Sequence, residues 1–148
     1  MQLKMTFPSW RDQFWIFCVI AGPVFWLFYG SVANRVPLGL DANTLLTVVL
    51  VILVYPILEE IVFRGWIQSE LLRKHFFQAK LFQLSVANVL TSVLFSLFHL
   101  INHEPLWAAL VFFPSILFGC LRDRYGAITP SIVLHVYYNF GFTLLSLV

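Results

Sequence analysis

The sequence predicts an all-α protein, a polytopic membrane bundle of about five transmembrane helices. Apolar residues make up 60% of its 148 residues, above the roughly 45 to 50% of soluble domains. Charged residues make up 11%, less than half of the roughly 25% that is usual. So few charges cannot cover sixteen Phe, five Trp and five Tyr in water. These proportions exclude a soluble globule and a disordered chain.

Five long runs with little or no charge predict the helices. They are residues 13–34, 42–58, 81–101, 105–121 and 125–148, and their only titratable cations are His99 and His135. About 20 residues at 1.5 Å each cross roughly 30 Å of hydrocarbon. Backbone groups in lipid must be satisfied internally, and no alternating strand pattern is present. The spans are therefore predicted to be helices.

The second run does not end where its charges begin. Apolar residues continue from Ile61 to Leu72, although acidic and basic residues interrupt them. We therefore expect this helix to extend beyond the membrane face. Pro56 lacks a backbone N–H and is expected to open the helix about one turn before the acids.

The distribution of basic residues predicts the orientation. Seven of nine Lys and Arg lie in the amino-terminal segment and in the second and fourth connections, whereas Arg35 is alone in the alternate ones. Cytoplasmic loops carry the excess of Lys and Arg. The amino terminus is therefore expected in the cytoplasm and Val148 on the far side.

Length and charge limit the organisation and the partners. Residues 1–148 are expected to form a single domain. The net charge of +2 is too small for a nucleic-acid partner, so the lipid bilayer is the expected environment. Cys18 and Cys120 lie in apolar runs outside any metal or disulfide pattern, and are predicted to be buried packing thiols.

Three ionisable residues interrupt the second helix. Each such group at a helix centre costs about 2.5 to 3.5 kcal/mol on insertion. Glu60 and Arg64 are four residues apart, share a helix face and can pair. Glu59 is rotated from Glu60 by about 100° around the helix axis, so it has no partner on its own helix. An unpaired carboxyl group of this kind is expected of a general base or acid. The alternative is that all three mark an interfacial helix end.

Two histidines and an asparagine lie in other spans. His99 follows Phe95 by four residues, and Asn139 follows His135 by four. A lone intramembrane His is more often a packing residue, but polar groups of separate spans tend to meet in the bundle interior. We therefore expect these groups to converge with Glu59.

Other polar residues of the spans fit packing or loop positions better. His103 follows His99 by four residues but adjoins Glu104 and Pro105, and is predicted to lie in a loop. Three serines have no GxSxG or Ser-Lys motif around them and are predicted to pack between helices: Ser92, Ser96 and Ser115.

Depth along the helices limits how closely the groups can meet. If helices two, three and five are centred near Tyr55, Phe95 and Tyr137, Glu59 and His135 lie about 3 to 6 Å to the cytoplasmic side of the midplane and His99 about 6 Å to the other. A tilt of about 20° and the kink at Pro56 can absorb much of this difference.

Three motifs occur in order on successive segments: EExxxR at residues 59–64, FxxxH at 95–99 and HxxxN at 135–139. The ordered triple resembles the CPBP family, the CAAX protease and bacteriocin-processing group of glutamic intramembrane proteases. It covers residues 56–139. Family members usually have more spans, so the chain resembles a minimal core. Its brevity suggests the short JDVT-CTERM-type members of bacterial sorting systems.

The resemblance implies an intramembrane endopeptidase that hydrolyses a peptide bond of a membrane-anchored protein or peptide. Glu59, assisted by His99, would activate water, and His135 and Asn139 would form the oxyanion hole. No cofactor or metal is expected. The substrate would carry a carboxy-terminal sorting signal in a bacterial inner (cytoplasmic) membrane, and the oligomeric state stays open.

Supporting roles follow from the same resemblance. Arg64 would hold Glu60 ionised and in place, and Phe95 would pack beneath the ring of His99.

Two alternatives remain open. Glu59, His99 and His135 would also make an acceptable open zinc site by residue type. A non-catalytic scaffold or immunity factor would keep the same polar core for helix specificity. An ion conduit is disfavoured, because residues 140–148 offer no polar track.

Overall fold

Helices make up most of the part of the chain that the structure, a computed structural model, describes: residues 7–32 and 42–147. α1 (Gln13–Val32) begins where its uncharged run begins. Asp12 caps this start, because its Oδ1 accepts the backbone N–H of Phe14 over 2.9 Å, as preferred N-cap residues do. The end of the run, and Arg35 with it, lies outside the described residues.

The second uncharged run begins one long helix, which covers residues 42–72. It consists of α2 (Ala42–Val49), α3 (Tyr55–Glu60) and α4 (Ser69–Leu72), joined by wide π-helical turns at Leu50–Val54 and Ile61–Gln68. Pro56 lies in the first turn of α3, where its missing N–H is tolerated. The predicted continuation past the charges is confirmed, and π turns flank the acids on both sides.

The run at residues 81–101 does not form one helix, which corrects the prediction. After α5 (His75–Gln78), β1 (Lys80–Leu81) and β2 (Leu84–Ser85) pair as an antiparallel hairpin. α6 (Val86–His99) begins only after it, because the Ser85 hydroxyl accepts the N–H of Asn88 over 3.0 Å and caps the helix. Fourteen residues give about 21 Å of helix, less than the hydrocarbon thickness.

The fourth and fifth helical segments also differ from their predicted bounds. α7 (Pro105–Leu110) and α8 (Phe112–Tyr125) form the fourth, four residues longer than its predicted run. It ends at Gly126, whose φ of 65° allows a left-handed cap. α9 (Thr129–Leu147) is the fifth and starts after this turn.

Within the described ranges, two helices are long and apolar enough to cross a membrane: Leu45–Leu72 and Pro105–Tyr125. Gln13–Phe28 and Val86–His99 are apolar but shorter. Length and composition therefore support fewer full spans than the five that the uncharged runs predict.

Side-chain contacts show in which direction the helices run relative to one another. Arg64 reaches Ser115, and Gln68 reaches Gly119, so the long helix and α8 run parallel. The opposite order holds between α6 and the helical segment formed by α7 and α8. Asn88, near the start of α6, reaches Ile116, and Ser96, further along, bonds the backbone of Ala108.

The main core joins α1, α8 and α9. Its buried residues are Cys18, Phe118, Leu121, Leu134 and Tyr138. Cys18 and Cys120 are both free and buried, which confirms their predicted packing role. α6 approaches α8 so closely that a Cβ on Gly119 would lie 1.8 Å from the side-chain amide oxygen Oδ1 of Asn88.

Candidate active site

One cavity in the bundle interior is lined by the four residues predicted to act in catalysis. Its volume is about 390 Å³, and Glu59, His99, His135 and Asn139 all line it. These residues come from the long helix, α6 and α9. The predicted convergence of three segments is therefore present in the structure.

Glu60 and Arg64 form an ion pair beside this cavity. Arg64 Nη1 donates to Glu60 Oε1 over 3.0 Å, and both side chains are fully buried. Because the pair has no contact with water or headgroups, the alternative of an interfacial helix end is wrong for these two residues. A buried pair keeps its charges only when further hydrogen bonds offset the cost of desolvation.

α8 supplies those further contacts to Arg64. Its Nη2 donates to the Ser115 carbonyl oxygen over 2.7 Å and to the Ser115 hydroxyl over 2.6 Å. The guanidinium also lies 4.9 Å from the ring centre of Phe95 and 5.4 Å from that of Phe118, within the range of cation–π attraction. Ser115, predicted only as a packing residue, thus holds a charged group of the site.

His135 lies between the two adjacent glutamates. Its Nδ1 is 2.9 Å from Glu60 Oε1, and its Nε2 is 3.6 Å from Glu59 Oε2. The ring of Phe118 stacks on the imidazole with 4.6 Å between ring centres. Glu59 has no partner on its own helix, as predicted, but its carboxylate faces an imidazole of α9.

The contacts of Glu60 determine the tautomer of His135. A carboxylate paired with arginine accepts hydrogen bonds and cannot donate one. The Nδ1 atom of His135 therefore carries a hydrogen and donates to Glu60. Its Nε2 atom, on the other side of the ring, is directed toward Glu59.

His99 is oriented by its own helix. Its Nδ1 lies 2.9 Å from the Phe95 carbonyl oxygen. Because a carbonyl only accepts, Nδ1 carries the hydrogen, and Nε2 of the neutral ring is an acceptor. The ring of Phe95 lies 4.5 Å from that of His99, so the predicted packing is confirmed.

His103 is in the turn between α6 and α7, as predicted, yet it also lines the cavity. Its ring stacks on His99 with 5.7 Å between ring centres and 20° between planes. Burial lowers the pKa of His103, which favours its neutral form. The four-residue spacing from His99 was the signal for this contact.

Asn139 ties α9 to the long helix. Its Nδ2 donates to the Val51 carbonyl oxygen over 2.9 Å. Val51 lies in the π-helical turn Leu50–Val54, which the sequence pattern did not predict. An amide nitrogen has two hydrogens, so this bond uses one of them.

The predicted depth mismatch rested on helices two, three and five centred near Tyr55, Phe95 and Tyr137. Glu59 lies near the middle of the segment Leu45–Leu72. His99 is the last residue of the short α6, which ends at the cavity. Both groups line the same cavity, although their predicted depths differ.

Within residues 7–32 and 42–147, no group of three His, Cys, Asp or Glu side chains is arranged to hold a metal ion. Glu59, His99 and His135 line the same cavity but do not form the compact ligand set that the zinc alternative requires.

The structure is a membrane helix bundle in which a half-buried carboxylate, two imidazoles and an amide line one cavity. The family model for the type II CAAX prenyl endopeptidase Rce1-like proteins matches residues 41–141. The chain belongs to this family, and with it to the CPBP group. It is an integral membrane protein of the CAAX protease class of hydrolases. No curated protein and no solved structure matches the chain.

Proposed function

We propose that the chain is a glutamic intramembrane endopeptidase that cleaves a membrane-anchored polypeptide. The observation that carries the proposal is the cavity lined by Glu59, His99, His135 and Asn139. A carboxylate and imidazoles that line one cavity are the groups that general acid–base hydrolysis needs.

In the proposed reaction, Glu59 and His99 activate a water molecule. The water gives one proton to the Glu59 carboxylate, while His99 Nε2 accepts a hydrogen bond from the other. The water oxygen attacks the scissile carbonyl carbon, and the carbonyl oxygen becomes an oxyanion. The proton held on Glu59 then passes to the leaving amine, and the peptide C–N bond breaks.

His135 and Asn139 are the proposed oxyanion donors. His135 Nδ1 is bonded to Glu60, so the ring must also carry a hydrogen on Nε2 to donate to the oxyanion. Glu60 stabilises that imidazolium, because its carboxylate lies against the opposite nitrogen. Each donor of this kind is worth about 2.7 to 4 kcal/mol of barrier in comparable hydrolases.

Glu60, Arg64 and Phe95 are proposed as positioning residues. Arg64 holds Glu60 from the same helix, and Ser115 anchors Arg64 from α8. Phe95 packs against His99. We propose that residues 1–148 form one catalytic domain.

We further propose five spans with the amino terminus in the cytoplasm of a bacterial inner membrane. Three basic segments meet at one end of the bundle, which supports this topology. Arg124 pairs with Asp12 over 3.1 Å, and Arg122 donates to Ser69 over 2.9 Å. A substrate with a carboxy-terminal sorting signal, as in the JDVT-CTERM systems, remains part of the proposal.

The test is mass spectrometry of membrane peptides from cells with wild-type protein, with Glu59→Gln and with no protein. Gln keeps the size of the side chain but cannot take a proton. We expect cleavage products only in cells with the wild-type protein. In a second experiment, we expect the purified wild-type protein to keep its cleavage activity when a strong chelator is added. Equal processing by the Glu59→Gln variant would instead indicate a scaffold, and loss with chelator would indicate the zinc alternative.

A further inference from the structure

The two ends of the helix bundle differ in charge. α1 begins where α8 ends, because Arg124 pairs with Asp12 over 3.1 Å. The long helix also ends there, since Arg122 donates to the hydroxyl of Ser69 over 2.9 Å. This end of the bundle, the basic end, carries the following described residues: Arg11, Arg73, Lys74, Lys80, Arg122 and Arg124.

The opposite end of the bundle lacks this positive charge. α6 runs antiparallel to α7 and α8, so it ends away from the basic end, at the turn of residues 100–104. Among the described residues, no Lys or Arg lies in this turn or in the segments 42–58 and 139–147, which reach the same end. Cytoplasmic loops carry the excess of Lys and Arg, which favours the cytoplasm for the basic end and the other side of the membrane for the turn.

The candidate active-site cavity reaches this turn. Asn102 and His103 line the cavity, and both residues are exposed. The fourteen residues of α6 start from the basic end and give about 21 Å of helix, whereas the hydrocarbon is roughly 30 Å thick. The turn therefore lies within the thickness of the membrane. Irregular backbone at such a depth is tolerated where it lines a water-filled cavity, which favours entry of water from this end.

Packed side chains separate the cavity from the basic end. Gln68 follows Glu59 by nine residues in the direction of that end and is fully buried. Its Nε2 donates to the Gly119 carbonyl oxygen over 3.0 Å and to Asp123 Oδ1 over 2.8 Å. Leu121, two residues after Gly119, is fully buried in the main core. The side of Glu59 that faces the basic end is thus filled, and the polar turn lies on its other side.

We propose that the active-site cavity opens to the non-cytoplasmic side of the membrane, and that the substrate is a polypeptide whose scissile bond lies in a translocated segment. The inference rests on the proposed protease function and on the proposed topology. It adds the substrate class: a membrane-anchored polypeptide that is cut at the non-cytoplasmic end of its own membrane segment. A cleavage site that stays in a cytoplasmic tail would not reach Glu59.

Thiol labelling of full-length protein in spheroplasts tests on which side the turn lies. Asn102→Cys places a thiol in the turn, and Ala79→Cys places the matched thiol at the basic end, where Ala79 is exposed. Native Cys18 and Cys120 are buried, so their background should be small. The reagent is a membrane-impermeant stilbene disulfonate maleimide.

We expect several-fold more labelling of Asn102→Cys than of Ala79→Cys in intact spheroplasts, and similar labelling of the two after permeabilisation. Labelling of Ala79→Cys alone, or equal labelling of both thiols, in intact spheroplasts would overturn the proposal.

A second labelling experiment tests whether the opening leads to the proposed catalytic carboxylate. Glu59→Cys places the thiol in the cavity. The matched Leu53→Cys lies nearer the same end of the long helix, but on its exposed outer surface and outside the cavity lining. The reagent is the small impermeant cation 2-(trimethylammonium)ethyl methanethiosulfonate, which needs water to reach a thiol.

We expect Glu59→Cys to react several-fold faster than Leu53→Cys in intact spheroplasts. Thermal unfolding in detergent checks that both variants fold, and the Asn102 and Ala79 pair decides the question if Glu59→Cys does not. Reaction of Glu59→Cys only after permeabilisation would mean that the cavity opens to the cytoplasm.

The positions of cleavage sites separate this inference from the protease proposal. Mass spectrometry of membrane peptides from cells with wild-type or Glu59→Gln protein gives the new termini. We expect them at the end of each substrate's membrane segment that lies opposite its flanking Lys and Arg. Termini at the cytoplasmic end would mean that the side is wrong and the protease stands. If Asn102→Cys is labelled from outside but the wild type cleaves nothing, the orientation stands and the protease proposal fails.

Discussion

Glu60 is the residue at which the buried charges of the site meet. One of its oxygen atoms accepts from both Arg64 and His135. Removing one partner of a buried pair leaves a charge without compensation, which costs far more than the loss of an exposed pair. The stability of the bundle and the orientation of the imidazole therefore depend on the same carboxylate.

The buried pair gives the first prediction. Arg64→Met is expected to lower the free energy of unfolding by about 3 to 5 kcal/mol, because Glu60 stays buried without its arginine and keeps only the hydrogen bond from His135. The matched control is Arg73→Met, which removes an exposed pair with Glu70 worth about 0 to 1 kcal/mol. Reversible unfolding in detergent measures both. Similar losses for the two variants would mean that the Glu60 pair is not buried.

Ser115 gives a second prediction at the same scale. Ser115→Ala removes the hydroxyl that accepts from Arg64, so His135 is held less well and kcat is expected to fall about tenfold, as for a loss near 1.4 kcal/mol. KM should hardly change, and Ser115→Thr should restore turnover. Ser92→Ala is the control, because Ser92 is buried but donates to Asn88 instead. An equal fall in Ser92→Ala would make the effect one of packing alone.

At the scale of elements, local chemistry decides where each helix starts. Asp12 caps α1 and also accepts from the Tyr125 hydroxyl over 2.7 Å. This hydrogen bond, with those from Arg124 and the helix start, lowers the pKa of Asp12 below its ordinary value. The carboxylate thus joins the start of α1 to the end of α8.

The sign of that shift sets a pH dependence. A carboxyl with a lowered folded pKa stabilises the fold fully above the unfolded pKa of about 3.9, and this contribution disappears as the pH falls through the lower folded pKa. Asp12→Ala should therefore lower the free energy of unfolding by about 1 kcal/mol at neutral pH. The difference from wild type should shrink in acid. Unfolding curves across pH measure it, and a constant difference would contradict the assignment.

The sequence predicted the helical runs well but not their ends. The uncharged runs gave the position of each helical segment, and the spacing of Glu60 and Arg64 predicted their ion pair. The hairpin before α6 was missed because residues 81–85 are as uncharged as a membrane span, and only the Ser85 cap marks the change. The π turns were missed because hydropathy does not record how many residues a helical turn contains.

At the scale of the whole molecule, parallel and antiparallel contacts explain why the site forms. α9 runs antiparallel to the long helix, since His135 meets Glu60 while Asn139 meets Val51. This antiparallel arrangement places the HxxxN motif of α9 opposite Glu59 and Glu60. The convergence was predictable because polar groups in spans turn inward. The bridging position of His135 between two glutamates was not, because sequence spacing carries no information about rotation between helices.

The central claim is that Glu59 activates a water molecule which then becomes part of the product. Cleavage in heavy-oxygen water, with products analysed by mass spectrometry, tests it directly. The account predicts one heavy oxygen in the new carboxyl terminus of each wild-type product and no product from Glu59→Gln in the same membranes. Products of identical yield and labelling from the Glu59→Gln protein would contradict it.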